Sequence, residues 1–353
     1  MSENSSFSNL LFRESVELSD AVTDGFYKDK TVLVTGCGTI GSALMRRVAA
    51  LKPKRLIGLD IYENNLYEIQ QELLLTYGDA LELHAEVGSV RDRERVEEIF
   101  EKYRPQIVFH AAAHKHVPLM EHTPREALKN NVFGTLNVCD MAEKYSAERF
   151  ILISTDKAVN PTGVMGATKR LCEKIIQSRI DSKTTFAAVR FGNVLGSNGS
   201  VVPLFKRQIE TGGPITVTDK RMTRFFMTVS EAAQLVMCAG AMAKGGELFV
   251  LDMGQPVRII DLAESLIRSY GYEPYKDIEI IETGLRPGER LYEELLVKSG
   301  SVTTTDNGKI FIENEPTPDR SDVENALNDL KNVISEDENA IITLLKRAVP
   351  EYI

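Results

Sequence analysis

Residues Thr31–Gly41 read TVLVTGCGTIG, an apolar β-branched run leading into spaced glycines, and a helical pattern, Ser42–Ala50, follows at once. A strand that passes through G-x-G-x-x-G into a helix is the context in which such glycines hold a dinucleotide. Gly36 permits the tight turn, Gly38 lets backbone approach a pyrophosphate, and Gly41 allows close helix–strand packing. Thr39 and Ile40 lie inside the loop, where the first N–H groups of the helix face an anionic phosphate. Taken alone, the glycines also fit a plain structural turn. Asp60 tips the balance, because it ends the next apolar run, Arg55–Asp60 (RLIGLD), about twenty residues beyond the loop. A carboxylate there accepts hydrogen bonds from ribose hydroxyls and repels a 2′-phosphate, so NAD is expected rather than NADP.

Outward from this loop, short apolar runs alternate with helical patterns. Thr31–Thr35, Arg55–Asp60, Gln106–Ala111, Arg149–Ser154 and Thr185–Arg190 are the expected strands. Ser42–Ala50, Glu63–Thr76, Arg93–Lys102, Phe133–Lys144 and Gly166–Arg179 are the expected helices. Near-continuous apolar strands separated by helices predict an α/β fold with a doubly wound parallel sheet covered on both faces. Beyond Gly192, glycines and prolines crowd Gly196–Pro203 and Gly212–Pro214 before apolar helical patterns resume at Ser230–Met242 and Arg258–Tyr270. The expected organisation is an arm over residues 1–29 and a dinucleotide-binding domain over 30–192 that also takes in 226–255. Residues 193–225 and 256–353 would form a smaller, mixed substrate lobe with C-terminal helices. Two capping boxes, Ser321-x-x-Glu324 and Ser335-x-x-Glu338, mark the starts of those helices.

Among the 353 residues, a hydrophobic share of 43% and a charged share of 26% fit a globular protein. A net charge of −9 argues against a nucleic-acid or membrane surface. No apolar run reaches the ~18–20 residues of a membrane span, and the start lacks the order of a signal peptide. Cys37, Cys139, Cys172 and Cys238 are scattered without a CxxC pair, which predicts neither a disulfide framework nor zinc, and a cytoplasmic protein. His114 and His116 flank Lys115 just beyond the third expected strand, but no third ligand is spaced with them, so no metal is expected.

Ser154–Pro161 (STDKAVNP) and Met165–Lys169 (MGATK) resemble the extended short-chain dehydrogenase/reductase superfamily. Within it the match is to the CapD-like polysaccharide-biosynthesis proteins, which include UDP-N-acetylglucosamine 4,6-dehydratases. Supporting segments are His110–Glu121, Asn130–Thr135, Arg190–Phe205, Met222–Thr228 and Gly284–Leu296, and the likeness runs from about Leu10 to the C-terminus. Two departures stand out. The family loop TGxxGxxG is one residue longer than the loop here, and the superfamily's YxxxK reads MxxxK, Met165 and Lys169, as in the most similar branch of the dehydratases. Many members carry membrane-spanning helices ahead of the catalytic part, whereas this chain looks like a free-standing soluble form.

The resemblance implies NAD-dependent removal of water from UDP-N-acetylglucosamine, giving UDP-2-acetamido-2,6-dideoxy-4-keto-hexose for surface-glycan synthesis. Such a reaction oxidises C4, eliminates water across C5–C6 and returns the hydride to C6, the C4 ketone acidifying the C5 proton. By resemblance Asp156 is the acid at the C6 hydroxyl and Lys157 the base at C5, a role that asks for a pKa lowered by burial or positive charge. Lys169 would hold the nicotinamide ribose, with Ala111, Ala112 and Lys115 on the same cofactor. Met165 has no proton to exchange, so the C4 hydroxyl proton passes to Thr155, to Asp156 through Thr155, or to a water. Asn193, Arg224 and Arg286 would grip the diphosphate, with Ser200, Val201, Leu204 and Glu289 near the nucleotide.

Singly, these residues also read as a surface Asp–Lys pair, a solvated lysine, a core methionine and surface arginines; the motif context outweighs those readings. A sugar-nucleotide epimerase on the same scaffold would need a tyrosine-type base and has no use for the Asp156–Lys157 pair. A non-catalytic NAD-sensing protein has no use for Asp156, Lys157 and Lys169 together. The MxxxK resemblance points to retention at C5, and the superfamily to a homo-oligomer.

Overall fold

The computed structural model describes residues 23, 25–296 and 302–353, so most of the expected arm lies outside the described residues. In chain order the elements are β1 (Thr31–Thr35), α1 (Thr39–Ala50), β2 (Arg55–Asp60), α2 (Glu63–Tyr77), β3 (Leu83–Val87), α3 (Arg93–Tyr103) and β4 (Ile107–His110). Next come α4 (Val117–His122), α5 (Pro124–Ala127), a π-helical turn (Leu128–Phe133), α6 (Gly134–Lys144), β5 (Arg149–Ile153), a 3₁₀ turn (Asp156–Ala158), α7 (Val164–Gln177) and β6 (Thr185–Arg190). The third quarter holds β7 (Asn193–Val194), α8 (Val201–Glu210), β8 (Ile215–Val217), β9 (Thr223–Arg224), β10 (Phe226–Met227), α9 (Val229–Met242) and β11 (Glu247–Leu251). Last are β12 (Val257–Arg258), α10 (Ile259–Ser269), β13 (Ile280–Glu282), β14 (Val302–Thr304), β15 (Ile310–Glu313), α11 (Arg320–Asn332) and α12 (Glu338–Ala348).

Among the described residues the frame is a nine-stranded sheet in the order β14-β15-β11-β6-β5-β4-β1-β2-β3. The strands from β3 to β11 pair in parallel, while β15 and β14 run antiparallel at the edge. The period of two along each strand divides the core. On β1, Val32 and Val34 join the apolar layer of α1 and α9, whereas Leu33 joins that of α3, α6 and α7. Both faces are covered, so the whole of β1 is buried and reads as an unbroken apolar run. The order reverses at β1: β2 and β3 lie on one side, β4 and its successors on the other. Open α/β sheets bind ligands in the crevice at that switch point.

Several elements differ from expectation. The edge strand β3 has no buried residue, which leaves it without an apolar pattern to read. The helix expected from Phe133 continues upstream through the π-helical turn. The proposed capping boxes are absent: Asp319 and Asp337 carboxylates accept from the first helical N–H groups, and the Ser321 hydroxyl donates to Asp319 Oδ1 at 2.5 Å. Asp319, two residues before Ser321, and Asp337, two residues after Ser335, take the cap positions, so neither serine caps its helix.

The lobe core, including Val202, Phe205, Ile215, Leu262 and Ile280, draws on α8, β8, α10 and β13. The tail packs elsewhere, since β14 and β15 extend the main sheet, and Val323, Leu327, Ile341 and Leu345 of α11 and α12 enter the core beside α7. A charge cluster explains the attachment. Arg190 on β6 is fully buried and pairs with Glu173 of α7 at 2.8 Å and with Glu313 of β15. Losing Glu313 would leave the buried Arg190 charge with Glu173 alone, which Arg170 also shares.

Candidate functional site

The crevice is a cavity of about 840 Å³ above the C-terminal ends of β1, β4 and β5, bounded on the far side by the lobe. Its floor begins at the glycine loop. Gly36 has φ +79°, and a Cβ there would lie 2.4 Å from Ala112 N; at Gly41 it would lie 1.8 Å from Gly36 O. Both positions are closed to side chains by backbone. Gly38 differs: a Cβ there would meet nothing within 4 Å, so the loop is open at the residue that starts α1. Asp60 braces this loop, its Oδ2 accepting from Cys37 N–H at 2.5 Å and its Oδ1 from Tyr62 N–H at 2.8 Å. Gly36, Gly38, Thr39, Ile40, Gly41, Asp60, Ala111, Ala112 and Lys115 all line the cavity. Open backbone at Gly38, a helix N-terminus and a carboxylate at the end of β2 fit a dinucleotide.

The second wall is built by the turn after β5 and by α7. Thr155 caps the 3₁₀ turn, and its hydroxyl donates to Asp156 Oδ1 at 2.9 Å. The same oxygen accepts from Lys157 Nζ at 3.0 Å. Thr155 and Lys157 face the cavity, but Asp156 does not: it is 1% exposed and stands behind them. Asp156, expected as the acid at the C6 hydroxyl, does not line the cavity, because the 3₁₀ turn places its carboxylate beside Gly192. Asp156 Oδ2 is buried without a hydrogen-bond partner. Among the described residues, Thr155 Oγ1 and Lys157 Nζ are the groups that hydrogen-bond this carboxylate at the cavity wall.

Lys157 departs from expectation too. Burial pushes its pKa down, but the charges of Asp156 and Glu293 outweigh burial and hold it above the ordinary lysine value, with Arg224 opposing them. Lys169 behaves the other way: it is buried on α7, its side chain makes no hydrogen bond among the described residues, and burial lowers its pKa. Met165, one turn before it on the same helix, is 3% exposed and also lines the cavity.

On the lobe side, Asn193, Ser200, Val201, Leu204, Arg224, Arg286 and Glu289 all reach the cavity. Ser200 Oγ is buried with no partner. Asn193 Nδ2 donates to Phe225 O at 3.2 Å, and its Oδ1 accepts from Lys157 Nζ at 3.5 Å. The two arginines are engaged within the chain. Arg224 donates to the carbonyls of Thr223, Leu291 and Arg290 and pairs through Nε with Glu293 at 3.4 Å. Three of its five N–H donors are thus committed to carbonyls. Arg286 pairs with Glu289 at 2.5 Å and is largely exposed.

Three residues escaped sequence reasoning. Glu293 lines the cavity with 4% side-chain exposure, between Lys157 and Arg224. Asn131, fully buried on the π-helical turn, holds His114 through N–H and carbonyl and donates to Thr168 on α7 at 3.1 Å. His110, at the end of β4, spans Thr35 and Thr135 beneath the glycine loop. Glu293 and Asn131 lie in quoted motif segments, but nothing in a sequence says which of two neighbouring glutamates, or of two neighbouring asparagines, turns inward.

A switch-point crevice, an open glycine loop and a Thr-Asp-Lys turn facing a lysine on the next helix define a Rossmann-type short-chain dehydrogenase/reductase. The chain belongs to the polysaccharide biosynthesis protein family, whose pattern matches residues 32–315. It is 54% identical over 294 residues to the capsular polysaccharide biosynthesis protein CapD of Staphylococcus aureus, covering 82% of this chain and 49% of that protein. The chain thus spans about half the length of this relative. A UDP-N-acetylglucosamine 4,6-dehydratase (inverting) of Campylobacter jejuni is 33% identical, over 79% of this chain and 80% of that one. A UDP-glucose 4-epimerase of Rickettsia canadensis is 34% identical, over 81% and 83%. The crystal structure of Pen from Bacillus thuringiensis superposes with a TM-score of 0.75 at 39% identity, covering 83% of this chain and 90% of that one. No helix among the described residues is long and apolar enough to cross a membrane.

Proposed function

We propose that the chain is a sugar-nucleotide 4,6-dehydratase that takes UDP-N-acetylglucosamine and recycles NAD. The observation that carries this reading is the buried Asp156 carboxylate, joined at Oδ1 to both Thr155 Oγ1 and Lys157 Nζ at the cavity wall. NAD, cradled by Gly36–Gly41, Asp60 and Lys169, would supply the hydride sink for C4 and the hydride source for C6. The side chains move protons. Asp156 receives the C4 hydroxyl proton through Thr155 and later returns it to the departing C6 hydroxyl along the same hydroxyl. Lys157, as the free amine, takes the C5 proton and gives it back to C5. Each group ends as it began, so the elimination needs no outside acid or base. Arg286 and Lys115 are the cations we assign to the diphosphate, since Arg224 is spent on the chain itself.

An epimerase returns the hydride to C4 and leaves C5 and C6 untouched, so it gives Lys157 no C5 proton to take and Asp156 no C6 hydroxyl to protonate. Met165 also lacks the phenol that the superfamily's oxidations use. The test is to incubate the protein with UDP-N-acetylglucosamine and NAD and weigh the product. Loss of one water without net NADH supports the dehydratase; an isomer of unchanged mass, or stoichiometric NADH, refutes it.

A further inference from the structure

Glu293 has no role in the proton steps above, yet it lies where a carboxylate matters most. Its Oε1 is 3.5 Å from Lys157 Nζ and 3.4 Å from Arg224 Nε. The side chain is 4% exposed, so little water screens it. Arg224 cannot follow Lys157 as it moves, because its other nitrogens are fixed on the carbonyls of Thr223, Leu291 and Arg290. Arg224 is therefore a rigid post, and Glu293 hangs from it toward Lys157.

We propose that Glu293 is the positioning residue that makes Lys157 an effective base, orienting its amine and stabilising the ammonium that forms when the C5 proton arrives. The kinetic consequence rests on the dehydratase reading; the control of Lys157 does not. Two carboxylates act on Lys157 unequally. Asp156 is coupled to the proton path through Thr155 and gains and loses a proton during turnover, so its charge is not constant. Among the described residues Glu293 shares no hydrogen bond with Thr155 or Asp156, and it takes no part in the proton steps. It thus supplies the lasting part of the field that sets the basicity of Lys157, the part that favours the charged form as the proton is transferred.

The surrounding charges leave Glu293 as the available control. From its own turn Lys157 faces Asp156; from β9 it faces Arg224, which opposes Glu293. From the loop after β4 comes Lys115, whose own pKa is lowered by burial and then by the Lys157 charge. From α7, packed against the turn, come Lys169 and Glu173, the latter paired to Arg190. Asn193 on β7 is neutral.

The experiment measures Lys157 directly in the full chain. Amine-selective reductive methylation, followed at the Lys157 peptide by mass spectrometry across pH, reports the fraction of free amine. In the parent, Lys157 should label with a midpoint above that of exposed lysines. Glu293→Gln, of nearly equal volume, should lower the midpoint by about one to three pH units. The rising limb of kcat/KM against pH should move down with it, while the high-pH plateau falls several-fold and KM stays close to parental. Glu293→Asp keeps the charge and should retain most of the parental midpoint. An unchanged midpoint in a folded Glu293→Gln overturns the proposal, and so does a parental midpoint below that of exposed lysines, which needs no variant. If the midpoint shifts as expected but the parent leaves UDP-N-acetylglucosamine intact, the control by Glu293 stands and the dehydratase reading fails.

Discussion

Lowering the pH from 7 to 5 should cost the protein about 2 kcal/mol of stability through His110 alone. His110 is 1% exposed, with Nδ1 2.7 Å from Thr35 Oγ1 and Nε2 2.9 Å from Thr135 Oγ1. The Thr135 hydroxyl already donates to Asn131 O at 2.5 Å, so it accepts from His110 Nε2–H, and Nδ1 is left to accept from Thr35. The neutral imidazole is fully satisfied in this tautomer. A second proton would charge a buried ring near the Lys169 charge and force the Thr35 hydroxyl to turn from donor to acceptor. Burial, helped by Lys169, accordingly drops the pKa to about 3. The unfolded chain keeps a value near ~6.5. Below that pH the unfolded state binds a proton that the native state refuses, so stability falls as pH drops and keeps falling toward pH 3. At pH 5 the gap is about 1.5 units, and 1.36 kcal/mol per unit gives the ~2 kcal/mol. Urea unfolding at pH 7 and 5 measures it against His110→Gln, which keeps a donor and an acceptor but has no proton to gain. His114 and His116, also lowered by burial, contribute equally to both proteins and cancel. Equal stability losses in parent and variant would refute the argument.

Three further outcomes bear on the site. Lys157→Ala should stop C5 proton removal yet allow C4 oxidation, leaving enzyme-bound NADH in a single turnover, while Asp156→Asn should depress turnover by roughly 10²–10⁴. Near-parental rates in both variants would remove the pair from the mechanism. Met165→Leu should keep most activity, with a packing cost below about 1.5 kcal/mol. Thr155→Val, which deletes the hydroxyl that reaches Asp156, should cost far more in kcat/KM, and the opposite ranking would defeat the proton path. Asp60→Asn keeps an acceptor for Cys37 N–H but removes the charge, so it should narrow the preference for NAD over NADP about tenfold, or ~1.4 kcal/mol. Cofactor binding by fluorescence quenching tests this, and a parent that binds both cofactors equally would overturn the assignment of Asp60.

The amino-acid sequence by itself determined the frame. The expected bounds of β1, β2 and β6 match the observed ones, since strands covered on both faces are apolar in their interiors even where an end carries Arg55, Asp60 or the buried Arg190. The glycine loop was equally legible as a motif, although its closed positions differ: Gly41 packs on the backbone of Gly36 in the same loop, whereas Gly36 is closed by Ala111 and Ala112, far along the chain. Tertiary structure alone decided the rest. That the tail joins the main sheet depends on Arg190 and Glu313, 123 positions apart, meeting inside the protein. That Asp156 turns away from the cavity while Lys157 turns toward it follows from one 3₁₀ turn, in which neighbouring side chains point in different directions. The basicity of Lys157 was beyond any motif. Spacing names a lysine, but its proton affinity is the sum of burial and of charges brought from β9 and from the chain around Glu293. That sum exists only once those segments share one cavity wall.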